Sequence, residues 1–408
     1  MYADDVILLS TSASGLQEKL DILDKFCNDW CLTVNTQKTK IMIFNKAGKL
    51  MQHKFELNKN ELECVNTYKY LGLMFSASGC FTCAQEELYN KALKAYFILS
   101  KDFLSLNPNI QTSMHVFDHT IKPILLYGCE VWGTFNPFSA KFRGGAQNLT
   151  FDQVFTKQKA ELLHQKFCKF LLGVNRKSTN FAVLSELGRF PLYFNVIRAQ
   201  MKYHKRLQSI NDTFPLLFAA YTESVNIDSS KYCSWYSSIK FIMDKTSTVL
   251  NTPYVCNNKF LVKYFTKEWE INRDKHSDGK LCSYITFKSN FGTEKYLAIL
   301  KNFDLRKMFT RFRISAHRLA IETGRYKGIP RQDRLCTRCS ANAVEDETHF
   351  LFECSGMNKE RDILYSIINL HCKNFTLLPN DSKLIWIMNN ENFDILKGVC
   401  SYIEHINQ

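Results

Sequence analysis

The chain has 408 residues, 45% of them hydrophobic, which is enough apolar material for more than one packed core. Its 53 lysines and arginines outnumber 39 acidic residues, a formal charge of +14 that favours a polyanionic partner. Fifteen cysteines without a secretory leader point to a reducing, intracellular setting (cytoplasmic, nuclear or both), and no apolar run reaches the ~18 residues of a membrane span.

Tyr2-Ala3-Asp4-Asp5 opens the chain, followed by the apolar run Val6-Ile7-Leu8-Leu9. Two adjacent carboxylates at a turn before a strand suit Mg2+, which takes oxygen ligands and keeps positions open for substrate phosphates. Asp4 is the first candidate ligand and Asp5 the second; a solvated turn is the plainer alternative. Ser14-Gly15-Leu16-Gln17 fits a capping box, and Leu16, Leu20, Leu23, Phe26, Cys27 and Trp30 recur at helical spacing. Leu32 through Phe44 reads as a turn carrying lysines between two strand-like pieces. Tyr68-Lys69-Tyr70-Leu71-Gly72-Leu73-Met74-Phe75 reads as a hairpin. Residues 1 to about 78 are thus β-rich with one strong helix, and 83 to about 210 mainly helical, with a polar loop from Asn136 through Gln147. Residues 211–300 alternate aromatic helices with polar breaks, and their aromatics read as ordinary core.

Further on, Cys336-Thr337-Arg338-Cys339, His349 and Cys354 form a C-x2-C-x9-H-x4-C array. Three thiolates and an imidazole satisfy tetrahedral Zn2+ with no vacant position, so such a site is structural. Cys80-Phe81-Thr82-Cys83 has no downstream partner pair and reads as chance spacing. The approach to the array carries Arg306, Lys307, Arg311, Arg313, Arg318, Arg325, Lys327, Arg331, Arg334 and Arg338 against only Glu322 and Asp333, with Phe309, Phe312 and Tyr326 interleaved. Arginine forks match phosphate oxygens and aromatic faces stack on unpaired bases, so Arg306, Lys307, Arg311, Arg313, Arg318, Arg325 and Lys327 are candidate nucleic-acid contacts. A solvated helical face is the alternative.

In their order, the acidic motif, the helix, the lysine turn and the hairpin resemble the palm of a non-LTR (LINE-like) retrotransposon reverse transcriptase. His119 through Gly133, and His164 through Val174 running on to Leu192, look like the thumb of the same family. The likeness is dense over the first half and returns near residues 315–360. It implies an α+β architecture: a partial palm in 1–78, a helical thumb in 79–210, a connector in 211–300, a basic region with a small zinc-knuckle-like cluster in 301–360, and a helical tail in 361–408. It also implies template-primed DNA synthesis from dNTPs with two Mg2+, an RNA template and a DNA primer or target as partners, and no membrane. Asp4 and Asp5 then correspond to metal ligands. Lys38, with Lys40 second, corresponds to the lysine beside the triphosphate, where it can neutralise or protonate the leaving pyrophosphate. Tyr70 and Gly72 correspond to the grip on the primer end, glycine permitting close backbone approach. The family uses a further aspartate and a nucleotide-placing segment that precede this motif, so the 408 residues read as the back half of a polymerase, inactive alone. A non-catalytic RNA- or DNA-binding protein and an inert relic of a mobile element are the alternatives.

Overall fold

The computed structural model describes residues 5–51, 53–133, 149–210, 214–229, 233–255, 257–276 and 279–407. They divide into two compact units, Met1–Ala92 and Leu93–Gln408, the division falling inside the helix Thr82–Leu106. The expected loop at 136–147 lies outside the described residues.

The first unit is built on the helix Ala13–Asp29. Its cap is Ser12, in extended backbone, whose hydroxyl accepts from the Gly15 N–H at 3.1 Å. The helix therefore starts before the capping box anticipated at Ser14, which lies inside its first turn. Leu20 packs with Ile41, Phe55, Leu57 and Leu62, and half-buried Leu8, Leu16, Val34 and Ile43 close over them. Gln17 fastens this helix to β1 (Glu56–Leu57): its amide donates to the Glu56 carbonyl and accepts from the Glu56 N–H. β1 pairs antiparallel with β2 (Asn60–Glu61), through a turn at Asn58 and Lys59 with φ of 50° and 59°. β3 (Thr67–Tyr70) pairs with β4 (Leu73–Ser76) through Leu71 and Gly72, at φ 45° and 82°. Two successive left-handed residues twist such hairpins in the sense the strands require.

The sheet content is smaller than the sequence suggests. Beyond a bridge residue at Asp5, the run Val6–Leu9 belongs to no ladder, and Val6, Ile7 and Leu9 stand half exposed. An extended segment becomes a strand only when a neighbour takes its backbone hydrogen bonds.

Among its described residues the second unit has no strand, only isolated bridges at Leu187–Thr293 and Leu335–Val344. The helices Lys159–Leu171, Asn180–Glu186 and Tyr193–Gln208 carry its first core, with Phe117 stacked on Phe167 at 4.1 Å. Helices Trp235–Leu250 and Asn258–Asp274 bury Phe241, Phe260, Tyr264, Phe265 and Trp269 as core, whereas Trp235 and Tyr236 are half-buried and Phe214 and Phe218 exposed. The helices Phe303–Arg313, Asn358–Asn369, Asn380–Met388 and Phe393–Glu404 pack at the C-terminal end. The described residues are mostly helical with two small two-stranded sheets, an α+β composition.

Arg189 grips Asp118 with both guanidinium ends, at 2.7 and 3.3 Å. Burial raises the Asp118 carboxyl, but Arg189 and Lys122 outweigh it and hold the group below the ordinary range. A depressed carboxylate contributes stability that is full above the unfolded value and lost as pH falls through the folded one. Asp118→Asn should therefore cost about 1 kcal/mol at neutral pH, a cost that shrinks as pH falls through the depressed folded value. Urea unfolding at pH 7 and pH 3 checks this; an equal cost at both would refute the ionic account.

Candidate functional site

Cys336 and Cys339 sit on a tight knuckle that closes the Leu335–Val344 bridge, with the Cys336 N–H donating to the Ala343 carbonyl at 2.8 Å. The Arg338 N–H donates to the Cys336 Sγ at 3.4 Å. His349 and Cys354 come from the π-helical turn His349–Glu353 and the residue after it. The π-turn explains the H-x4-C spacing. Residues five apart on an α-helix point about 140° away from each other. The wider turn, marked by the Cys354 N–H donating to the His349 carbonyl at 2.8 Å, returns both side chains to one side.

All four ligand atoms lie within 4.8 Å of one another. Cys336 Sγ is 3.7 Å from Cys354 Sγ, and Cys339 Sγ is 3.4 Å from His349 Nε2. The edge of a tetrahedron with Zn–S bonds of about 2.3 Å is roughly 3.8 Å, and both of these distances are close to it. Burial pushes the Cys336 thiol up to about 12, whereas the Ala341 N–H, followed by His349, brings Cys339 down to about 7. A cation at the centre would hold both as thiolates.

Residues outside the motif support the cluster. Arg361 donates to the carbonyls of Leu351 and Cys354, and Arg338 to those of His405 and Ile406. Gly356 approaches the knuckle so closely that a Cβ would lie 2.2 Å from the Arg338 carbonyl oxygen. Sequence reasoning overlooks Gly356 and Arg361, although a glycine two residues past the last ligand is a usable signal. Cys80 and Cys83 are exposed, and among the described residues no second cluster of this kind includes them.

In the first unit, Tyr2, Ala3 and Asp4 lie outside the described residues, and Asp5 is exposed. Three residues on, Leu8 packs on the cluster that also seats Val34 and Ile43, which flank the lysine turn. The Lys38 N–H donates to the carbonyl and the side-chain oxygen of Asn35, leaving the Lys38 side chain exposed. Lys40 is bound to Glu63 at 2.6 Å, which engages its charge. The Tyr68 hydroxyl donates to the Lys38 carbonyl at 3.0 Å and so joins the lysine turn to the β3–β4 hairpin. At the hairpin tip Tyr70 is half-buried and Gly72 exposed.

The basic stretch divides sharply. Arg313 is buried, its guanidinium bound to Glu186, Glu294 and the Met388 carbonyl. Arg306 is buried against the carbonyls of Leu300 and Lys301. Neither guanidinium can reach a surface phosphate, so both candidates are corrected to structural ties. Arg311 is half-buried and donates to the Gly173 carbonyl, while Lys307 lies over the Phe303 ring and within 3.9 Å of Asp304. Arg325 pairs with Glu322 at 3.0 Å and lies over the Tyr326 ring; Arg318 and Lys327 are exposed.

Comparison with known proteins bears on the first unit. Residues 1–75 match the reverse transcriptase (RNA-dependent DNA polymerase) family. Over part of its length the chain is similar to polymerases of mobile elements. It is 30% identical over 143 residues to a Drosophila melanogaster protein named as a probable RNA-directed DNA polymerase from transposon BS, covering 32% of this chain and 16% of that protein. To the RNA-directed DNA polymerase from mobile element jockey of the same fly it is 28% identical over 144 residues, covering 32% of this chain and 15% of that one. An uncharacterised transposon-derived protein of Caenorhabditis elegans is 26% identical over 195 residues, 46% of this chain and 68% of the relative. The chain thus spans about a sixth of the two fly polymerases. The reverse-transcriptase match covers the acidic motif, the lysine turn and the β3–β4 hairpin. It ends far before the cysteine–histidine cluster. Among the described residues, no helix is long and apolar enough to cross a membrane.

Proposed function

We propose that this chain is part of the RNA-directed DNA polymerase of a non-LTR retrotransposon, residues 1–78 contributing to its palm and 301–360 forming a zinc-stabilised module that faces nucleic acid. The observation that carries this reading is the reverse-transcriptase match over residues 1–75, in a unit where Tyr68 ties the lysine turn to the hairpin. Asp4 and Asp5 would hold Mg2+, whose charge offsets that developing on the non-bridging phosphate oxygens. Lys38 extends an unburied ammonium from its turn and would neutralise the departing pyrophosphate. Tyr70 and Gly72 would meet the primer end through the backbone at the hairpin tip. Cys336, Cys339, His349 and Cys354 would hold Zn2+ with no open position, so its role is to fold the module.

The 408 residues by themselves should be silent in primer extension on an RNA template with dNTPs and Mg2+. Two-metal transfer draws carboxylates from more than one segment, and among the described residues no group of three gathers around Asp5. Mg2+-dependent synthesis that vanishes in Asp4→Ala would overturn the expectation of inactivity while supporting the metal assignment. Synthesis that persists in Asp4→Ala and Asp5→Ala would sink that assignment.

A second reading, nucleic-acid binding without chemistry, is favoured by the exposed cations Arg318 and Lys327 on a chain of net charge +14. Filter binding of single-stranded RNA should weaken with salt, log affinity falling by about 0.7 per phosphate neutralised. Arg318→Ala with Lys327→Ala should flatten that slope by about one to two units. An affinity indifferent to salt would refute any phosphate-gripping role.

A further inference from the structure

A cavity of about 480 Å³ opens within the second unit, between the helices Phe151–Phe155, Asn180–Glu186 and Asn258–Asp274. That volume is within the range of small-ligand sites. Its walls are aromatic, including Phe181 stacked on Trp269 with centroids 6.0 Å apart, His276 tilted against Phe181 at 5.0 Å, and Phe190 stacked on Phe291 at 4.5 Å.

Three carboxylates, those of Asp152, Glu161 and Glu268, stand among these rings. Asp152 takes a hydrogen bond from the Tyr193 hydroxyl at 2.7 Å. Glu161 accepts from the Tyr193 N–H and from Gln165. Asn180 donates its amide to Gln165 at 2.9 Å, while its own Oδ1 is buried with no donor. Glu268, half-buried on the wall, has its carboxyl held above the ordinary range by burial, with Asp152 adding to that and Lys245 and Lys275 opposing it. Glu161 is buried and lies 3.5 Å from His164, which leaves Asp152 and Glu268 as the acids open to a ligand. Arg189 is bound by Asp118, and Lys275 is exposed.

Carboxylates set among aromatic faces repel phosphate and attract an organic cation, the rings through their quadrupoles and the acids through charge-assisted hydrogen bonds. We propose that this cavity binds an organic cation bearing N–H groups, an aliphatic ammonium or a guanidinium. The cation enters as a free polyamine or as the end of a lysine or arginine side chain. The site does not depend on residues 1–75 and stands apart from the polymerase reading.

Calorimetric titration of the full chain at physiological salt tests it, with spermidine, N-acetyl-arginine methylamide and guanosine as separate probes. One of the two cations should bind saturably with one site. Spermidine alone points to a free polyamine, and the arginine derivative to a partner's side chain. Glu268→Gln and Asp152→Asn should each weaken that binding about tenfold, as loss of one charge-assisted contact implies. Asp152 is exposed, so its variant keeps the test available should the other fail to fold. Absence of binding by both cations, or binding unaltered in both variants, overturns the proposal. Saturable guanosine binding without cation binding also overturns it, in favour of a site for an unpaired base.

Discussion

Cys339→Ser protein should contain no stoichiometric zinc, where the unaltered chain should hold one equivalent, and the knuckle at Cys336 and Cys339 should lose its fixed structure. The geometry gives the reason. Cys339 faces His349 at 3.4 Å while Cys336 faces Cys354 at 3.7 Å, so losing one corner leaves three donors converging without a closed shell. In small isolated modules structural zinc contributes about 10 kcal/mol or more to folding. The effect here should be smaller, because Phe350 and Leu351 lie between the last two ligands and are fully buried in a core that does not depend on metal. A lowering of the melting temperature by about 10 °C or more is still expected, since each kcal/mol shifts a unit of this size by about 2–4 °C. A chelator should reproduce the shift in the unaltered protein and leave the Cys339→Ser variant unmoved. Cys80→Ser with Cys83→Ser should retain the full equivalent. If Cys339→Ser protein kept its zinc, or if chelation left the melting curve unchanged, the assignment of a structural metal centre would fail.

How far the sequence could lead differs between the two sites, for a physical reason. Four ligands for one cation must converge whatever the backbone between them does, so the C-x2-C-x9-H-x4-C spacing is legible without knowing the fold. The local device that makes the last spacing work, a π-turn at His349–Glu353, carries no comparable pattern, and an α-helix there would turn Cys354 away. The lysine turn and the hairpin were legible as turns, Leu71-Gly72 supplying the left-handed pair. Their joining by the Tyr68 hydroxyl was not, because a strand tyrosine looks alike whether its phenol meets solvent or a distant carbonyl.

The basic stretch shows the opposite failure. Charge in sequence counts only neighbours along the chain, and from residue 305 to 321, around Arg313, none of them is acidic. Its acids come from elsewhere: Glu186 is 127 residues away and Glu294 is 19 residues away. Likewise Arg338 meets Glu345, and Arg331 approaches Asp346, two acids of the loop between the cysteines and the histidine. A linear charge surplus therefore overstated the surface available to phosphate. Periodicity is the signal that tempers it, since Arg306 and Arg313 are seven apart and share a helix face with Phe309. The helical character of 83–210 was legible for the ordinary reason that apolar residues recur every three to four positions.

Arg313→Met should destabilise the second unit by about 3–5 kcal/mol, the cost of leaving a buried charge without its partner. Both Arg313 and Glu186 are sealed from solvent, at 1% and 0% exposure. The guanidinium spans Glu186 in two hydrogen bonds, of 2.9 and 3.1 Å, and reaches Glu294 at 2.7 Å. Glu294 in turn holds the buried Lys288 ammonium, so the network binds the helices Asn180–Glu186 and Phe303–Arg313 to the segment 288–294. The loss should come from stranded carboxylates and not from missing volume. Pairing Arg313→Met with Glu186→Gln should then recover at least about 1 kcal/mol of the single-variant loss, although the second change also removes a native group. Arg313→Lys should recover less than that pair, because one ammonium cannot reproduce a fork that meets two carboxylates and a carbonyl. Urea unfolding of the three variants measures all of this. The same proteins separate the two roles an arginine here could play. A phosphate contact would lower RNA affinity and leave unfolding untouched, whereas an interior tie does the reverse in any variant that remains folded. An Arg313→Met protein as stable as the unaltered chain, but weaker on RNA, would return Arg313 to the surface.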